Sequence, residues 1–426
     1  MRTHLQHKVA GQKPRLVHAI AVGLWGLAQC LGAVQPAHAE PTSVHRKSAA
    51  VEANHAEIKA GGRSATFVLR LSAGVRAEIF TLAKPYRVVI DLPDVAFDLP
   101  KAAGETPQGL VSGFRYGLLS EGKARVVIDT TGPVLIKRAD IRPNGPGKSM
   151  ELTVELVATS AKTFGGGTGA SLATAAPAEA DQAAPVKRNR AKPLVLIDAG
   201  HGGIDPGAAS AGGLSEKTIV LAVAQALSAR LKSTGRYDVR MTRTTDVFVP
   251  LDERVKLSHQ LGADLFVSLH ADAIAQKGLA KTVRGATVYT LSEQASDEEA
   301  RRMAEKENNS DAVAGLQTAK FEEEGMVRNI LIDLLKRETA NFSADLSNTL
   351  VKQLGKSISL SGTPQRSAAF KVLRQADTPS VLVELGYMSH PEDEKLLNSA
   401  AWQRRVAAAI GSAIDSYFSK RTAKAR

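Results

Sequence analysis

Residues 194–208 read LVLIDAGHGGIDPGA, and this stretch decides the fold. Leu194 to Ile197 is a short, uniformly apolar run that ends abruptly at Asp198 and Ala199. Strands covered on both faces, as in parallel sheets, read this way. His201 follows, with Gly200 before it and Gly202 and Gly203 after it. Glycine accepts dihedrals and close approaches that a side chain would block. The pattern predicts a buried strand whose carboxyl end presents a histidine in a space cleared for something bulky.

Downstream, strand and helix periodicities alternate. A helix is expected near 215–232, with Val220, Val223, Leu227 and Leu231 on one face. Strands are expected at 238–242, 264–269, 284–291 and 380–385, and helices at 251–261 and 400–419. The alternation predicts an α/β catalytic domain over 193–420 with a largely parallel sheet. An all-helical stretch, 292–361, interrupts it and reads as an insertion with its own task.

Upstream, ATFVLRLS (65–72), YRVVIDLP (86–93), ARVVIDT (124–130), VLIKRADIRP (134–143) and SMELTVELV (149–157) are β-branched runs separated by Gly, Pro and Asn. They predict a small all-β sandwich over 58–158. Residues 40–58 are polar and carry no expected element. Residues 159–192 are rich in Gly, Ala and Pro and read as a flexible linker.

The amino terminus carries Arg2, Lys8, Lys13 and Arg15, then an apolar stretch, 16–34, then Ala37-His38-Ala39. This is the order of a Sec-type signal peptide over 1–39, cut after Ala39; the other readings are a single membrane anchor and a lipoprotein cleavage at Leu27-Ala28-Gln29-Cys30, against which the size of Gln29 speaks. Cys30, the sole cysteine, lies inside that segment. The exported chain therefore has no disulfide and no cysteine nucleophile or ligand. A net charge of +12 favours acidic partners. Export and the lack of interleaved aromatics argue against nucleic acid and leave the anionic wall or a membrane surface.

His201 and His270 each follow an apolar strand, and so does Glu384, after Ser380-Val381-Leu382-Val383. Ligand sites in open α/β sheets gather at the carboxyl ends of strands. Glu216 follows Ser215, a helix-capping residue, close to the end of the first strand. His201, Glu216 and His270 make a His₂Glu set, common at catalytic zinc with one position left open. Zinc lowers the pKa of bound water to about 7, and Glu384 could act as general base. Singly, each histidine also reads as a polar cap, and Glu216 as a complement to the helix dipole. Glu384 is harder to explain so, because a buried unpaired carboxylate is costly.

The blocks VLIDAGHGGIDPGA, GLSEKTIVLAVAQAL, RMTRTTDVFVPLDERV, GADLFVSLHADA and PSVLVELGYMSHPEDEKLL resemble the zinc-dependent N-acetylmuramoyl-L-alanine amidases of bacteria. The resemblance implies cleavage of the amide between muramic acid and the stem peptide of peptidoglycan, during cell separation. It also implies Zn²⁺ as cofactor, His201, Glu216 and His270 as its ligands, and Glu384 as the catalytic glutamate. Asp272 would add an outer contact. His259 and His390 stand where the family usually has Asn, and neither is an expected ligand. The run ATFVLRLSAGVRAEIFTLAKPYRVVIDLPDVAF resembles an AMIN domain, which implies targeting to peptidoglycan. A periplasmic and septal location would follow, with no stable membrane insertion after signal cleavage.

The insertion reverses the local charge. Glu293, Asp297, Glu298, Glu299, Glu305, Glu307 and Asp311 crowd its first part. A solvated helix face would explain this. The insertion also resembles the regulatory helix of division amidases, which implies autoinhibition by a carboxylate set in the open zinc position. Glu307 is the candidate, with Glu293 second. Met326, Ile330, Leu334, Phe342, Leu346 and Leu350 predict a further helix, and by resemblance this region docks a LytM-domain activator. Two other functions stay open: a non-catalytic wall-binding or activator protein, and a zinc peptidase acting within the stem peptide.

Overall fold

The computed structural model describes residues 51–424, except 101, 146, 148, 211, 165–189, 275–281 and 317–329. The expected signal peptide, most of the expected linker and Met326 lie outside the described residues.

Among the described residues, nine strands come first: β1 (Val51–Gly61), β2 (Ser64–Leu71), β3 (Glu78–Leu82), β4 (Arg87–Pro93), β5 (Val95–Phe97), β6 (Val111–Ser120), β7 (Lys123–Thr130), β8 (Val134–Pro143) and β9 (Met150–Ala158). They form two sheets, ordered β5-β1-β2-β9-β8 and β3-β4-β7-β6. Alternate residues point inward, so Phe67, Leu69, Val88, Ile90, Val126 and Ile128 meet in one core. Residues 51–58, expected to carry no element, belong to β1. Ala53 and Ile58 are its buried positions, and charged neighbours hide the alternation. The strand is held by its ladders, antiparallel to β2 and parallel to β5.

The remaining elements are β10 (Leu194–Ala199), α1 (Glu216–Ser233), β11 (Asp238–Met241), α2 (Leu251–Leu261), β12 (Leu265–His270), β13 (Ala286–Leu291), α3 (Glu298–Asn308), α4 (Ser310–Val313), α5 (Ile330–Leu354), β14 (Leu360–Ala368), β15 (Ser380–Glu384), α6 (Pro391–Leu397) and α7 (Ala400–Lys424). Their sheet runs β11-β10-β12-β15-β13-β14. The first four are mutually parallel, while β13 runs antiparallel to β15 and pairs in parallel with β14. The sheet is thus mixed and largely parallel. Among the described residues of 292–361, expected to be all-helical, the helices α3, α4 and α5 are followed by a strand, since β14 starts at Leu360.

Helices cover both faces. Val195, Ile197, Val267 and Val383 pack with Val223, Leu346 and Ile410 from α1, α5 and α7. Leu196, Phe266 and Leu382 pack on the other face with Leu251 of α2 and Ala300, Met303 and Ala304 of α3. Among the described residues, no helix is long and apolar enough to cross a membrane.

Candidate active site

Strand register brings the polar residues together. β10 lies beside β12, and the Gly200 N–H extends the pairing by donating to the Leu269 carbonyl at 3.1 Å. β12 lies beside β15, where His270 stands opposite Glu384. The Leu385 N–H then donates to the His270 carbonyl at 2.8 Å. His201, His270 and Glu384 therefore share one sheet edge, at the carboxyl ends of adjacent parallel strands. Glu216 opens α1, and its N–H donates to the Ala208 carbonyl at 2.9 Å.

The glycines of the opening stretch now have a reason. A side chain at Gly200 would place its Cβ 2.5 Å from His270 Cε1 and Nε2. His201 itself adopts φ +55°, a left-handed conformation uncommon outside glycine. That turn swings its imidazole back over the strand ends.

His201 Nε2 lies 3.1 Å from Glu216 Oε1 and 3.2 Å from Glu307 Oε2. His270 Nδ1 lies 3.2 Å and 3.0 Å from the same two oxygens. Ligand-capable atoms of His201, His270 and Glu307 all fall within 4.8 Å of one another. Glu216 is further fixed by backbone donors, Ala208 N–H to Oε2 and Ala271 N–H to Oε1, both at 2.8 Å. Burial works against its charge, but the two imidazoles hold its carboxyl well below the usual range.

Glu384 is fully buried, and its Oε2 accepts from the Asp272 N–H at 3.0 Å. Burial pushes this carboxyl up to about 8, with Glu216 and Glu307 adding to the rise and His270 and Lys306 opposing it. Its Oε1, both Glu307 oxygens and His201 Nε2 are buried without a hydrogen-bond partner. Unpaired lone pairs converging in a dry centre are costly unless a cation meets them.

Sequence reading missed the residues behind this centre. Asp205 Oδ2 lies 2.8 Å from His201 Nδ1, which sets the tautomer so that the Nε2 lone pair faces the centre. Arg254 is buried on α2; it donates to the Ala199 and His201 carbonyls, each at 2.9 Å, and pairs with Asp198 at 2.8 Å. Ser268 and Thr242 also donate to Asp198. The one available signal was an acid four residues after His201 in a glycine-rich loop. Asp272 lies outside the centre, in an ion pair with Lys306.

α3 roofs the site. Asp297 caps its first turn by accepting from the Ala300 N–H. Ala300, Met303, Ala304 and Glu307 are its buried positions, a spacing that keeps one face down. Three apolar residues seat the helix, and the same face then delivers Glu307 between the two histidines. Glu293, by contrast, is exposed. Ser310 donates to Asp205. The space left among His201, His270, Glu307, Ser310 and Phe370 is about 10 Å³, roughly one water's worth.

A buried glutamate beside two histidines and two further glutamates, at the carboxyl ends of adjacent parallel strands, has the acid–base groups that a hydrolase of carbonyl derivatives uses. Residues 195–416 match the N-acetylmuramoyl-L-alanine amidase family, and residues 56–152 match the AMIN domain. The N-acetylmuramoyl-L-alanine amidase AmiC of Neisseria meningitidis is 32% identical over 371 residues, covering 82% of this chain and 86% of that protein. AmiA of Salmonella typhimurium is 40% identical over 233 residues, covering 54% and 78%. AmiA of Escherichia coli is 38% identical over the same length and shares. The chain belongs to the N-acetylmuramoyl-L-alanine amidase family and hydrolyses the amide between N-acetylmuramic acid and L-alanine in peptidoglycan.

Proposed function

We propose that the enzyme is a zinc amidase of the periplasm, held inactive by its own insertion until an activator lifts it. His201, Glu216 and His270 are the residues that would hold zinc. The observation that carries this is a buried centre in which His201 Nε2, both Glu307 oxygens and Glu384 Oε1 lack hydrogen-bond partners, backed by Asp205 on His201 and by two backbone N–H groups on Glu216. When bound, zinc would make water acidic enough to attack near neutral pH.

Glu384 does the proton work. Oε2 is tied to the Asp272 N–H, which leaves Oε1 to take a proton from the attacking water. As the C–N bond breaks, the same oxygen returns a proton to the departing L-alanine nitrogen. The products are the lactyl-glycan carboxylic acid and a stem peptide with a free amino terminus.

Glu307 is the inhibitory carboxylate: it fills the position that substrate and water need. A LytM-domain partner docking on the insertion would draw it away. Residues 58–158 act as a wall-targeting domain joined through 159–192, and residues 1–39 direct export.

The test is digestion of purified sacculi by the Glu307→Ala chain, freed of the proposed inhibitory carboxylate, and by Glu307→Ala/Glu384→Gln, with zinc content measured for both. Equal zinc, a free amino-terminal L-alanine released by the single variant, and loss of that release in the double variant support the proposal. A cut within the stem peptide, or unchanged turnover in the double variant, refutes it.

A further inference from the structure

The outer face of the sheet β3-β4-β7-β6 is where a sandwich meets solvent, and here it is covered. In β4 and β7, Val88, Ile90, Val126 and Ile128 point into the sandwich core. Alternation turns Arg87, Val89, Arg125 and Val127 outward. Yet Val89 and Val127 are 0% exposed, and Arg87 and Arg125 only 2% and 4%. The two valines pack with Ile204 and Phe248 of the catalytic loops and with Ala314 of the insertion.

Three arginines on this face reach the same short segment. Arg87 donates to the Ala312 carbonyl, and Arg115 donates to the Val313 carbonyl at 2.7 Å. Arg125 donates to the Ala314 and Gly315 carbonyls, both at 3.0 Å. Asp91 fixes the Arg125 guanidinium through two bonds, at 2.6 and 2.9 Å. These carbonyls belong to the last two residues of α4 and the two residues after it, where a helix end leaves acceptors open. The segment starts five residues after Glu307 and two after Ser310.

We infer that this sheet face is a docking surface for residues 312–316 of the same chain, and that the β domain thereby locks the Glu307 roof over the active site. The inference rests on the inhibitory role of Glu307 proposed above. It gives the β domain a second task besides wall targeting: whatever occupies or pulls on this face loosens the roof. Gly315 shows how close the fit is. It has φ +70°, and a Cβ there would lie 3.0 Å from Val127 Cγ2 and 3.2 Å from Val89 Cγ2.

The experiment compares the full chain with Arg87→Ala/Arg115→Ala, with Gly315→Leu and with Glu307→Ala. Hydrogen exchange of the 308–316 amides reads the docking, and activator-free turnover on sacculi reads its consequence. The first two variants attack the contact from opposite sides, so a folding fault in one does not mimic the other. Each should speed exchange at 308–316 about tenfold or more, the weight of one charged hydrogen bond, and raise turnover in the same direction as Glu307→Ala. Unchanged exchange in both overturns the docking surface, whatever Glu307→Ala does. Faster exchange with no gain in turnover, in a chain that Glu307→Ala does activate, overturns the lock. If Glu307→Ala itself leaves turnover unchanged, the inhibitory reading fails, and faster exchange still supports the docking surface.

Discussion

Replacing Asp205 with alanine tests whether His201 meets a metal through Nε2. Asp205 is 3% exposed, and its Oδ2 fixes His201 Nδ1 at 2.8 Å. Without it, His201 can carry its proton on either nitrogen, and the ring, borne on a backbone at φ +55°, loses its only side-chain anchor among the described residues on that edge. Partners of metal-binding histidines are worth about 10- to 100-fold in metal affinity, or roughly 1.4–2.7 kcal/mol.

Asp205 also accepts from Ser310 of the insertion, so the substitution loosens the roof as well. In the full chain the two effects oppose each other in turnover. In a Glu307→Ala background only the loss remains. The assay is a competition titration with a zinc chelator in both backgrounds, with thermal melting at saturating zinc as the folding control. A zinc affinity unchanged within about twofold in a folded Asp205→Ala protein would refute the assignment of His201 as a ligand through Nε2.

Glu307→Ala should raise activator-free turnover on sacculi, and equal or lower turnover counts against the inhibitory role. Zinc added to the metal-free full chain should raise the melting midpoint by the equivalent of about 2.7 kcal/mol at a hundredfold excess over Kd; no shift would sink the metal site. Burial opposes the charge of Asp91, but Arg125 and Lys123 hold its carboxyl below the usual range. The stability it contributes is therefore present above the ordinary carboxylate value of about 3.9 and is lost as pH falls through its lowered folded value. Melting midpoints below about pH 4 should fall more steeply for the wild type than for Asp91→Asn, and parallel slopes would contradict the pairing. Phe67→Ala should cost the β sandwich about 3–5 kcal/mol, because Phe67 is fully buried; a loss under about 1 kcal/mol in denaturant titration would mean that core is not as packed.

The central strands were legible because burial on both faces leaves uniform apolar runs. Leu194–Ile197, the run ending at Leu269 and Ser380–Val383 all became neighbours in the sheet. Their polar terminal residues identified His201, His270 and Glu384. Glu216 was readable from its place at a helix start beside the first strand's end, whereas Glu307 needed the family resemblance, since a glutamate on a helix has many other uses. β6 and β14 were missed for a physical reason: both are edge strands. Gly113 and Gly117 interrupt β6, and Pro364 sits in β14, where only an edge tolerates the missing donor. The antiparallel direction of β13 left no trace in composition. Asp205 was passed over although its partner His201 lies four residues away in the same loop, because an acid in a glycine-rich loop has many turn-forming uses; Arg254 and Ser310 were invisible because their partners lie on other elements.

The position of Glu307 is set mainly by packing. Ala300, Met303 and Ala304 hold α3 on the sheet, and Asn308 adds bonds to the Ala369 carbonyl and the Lys371 N–H at 2.9 and 2.7 Å. Asp311 accepts from the Leu251 N–H at 3.0 Å, and the arginine-bearing sheet grips the chain beyond it. Removing one carboxylate therefore clears the centre without moving the helix, whereas lifting the helix means exposing its apolar face and breaking these bonds together. If Glu307 inhibits as proposed, an activator can supply that cost only through contacts it makes with the open form and not with the closed one. A partner that merely adheres to α5 in both forms would bind and leave the enzyme shut.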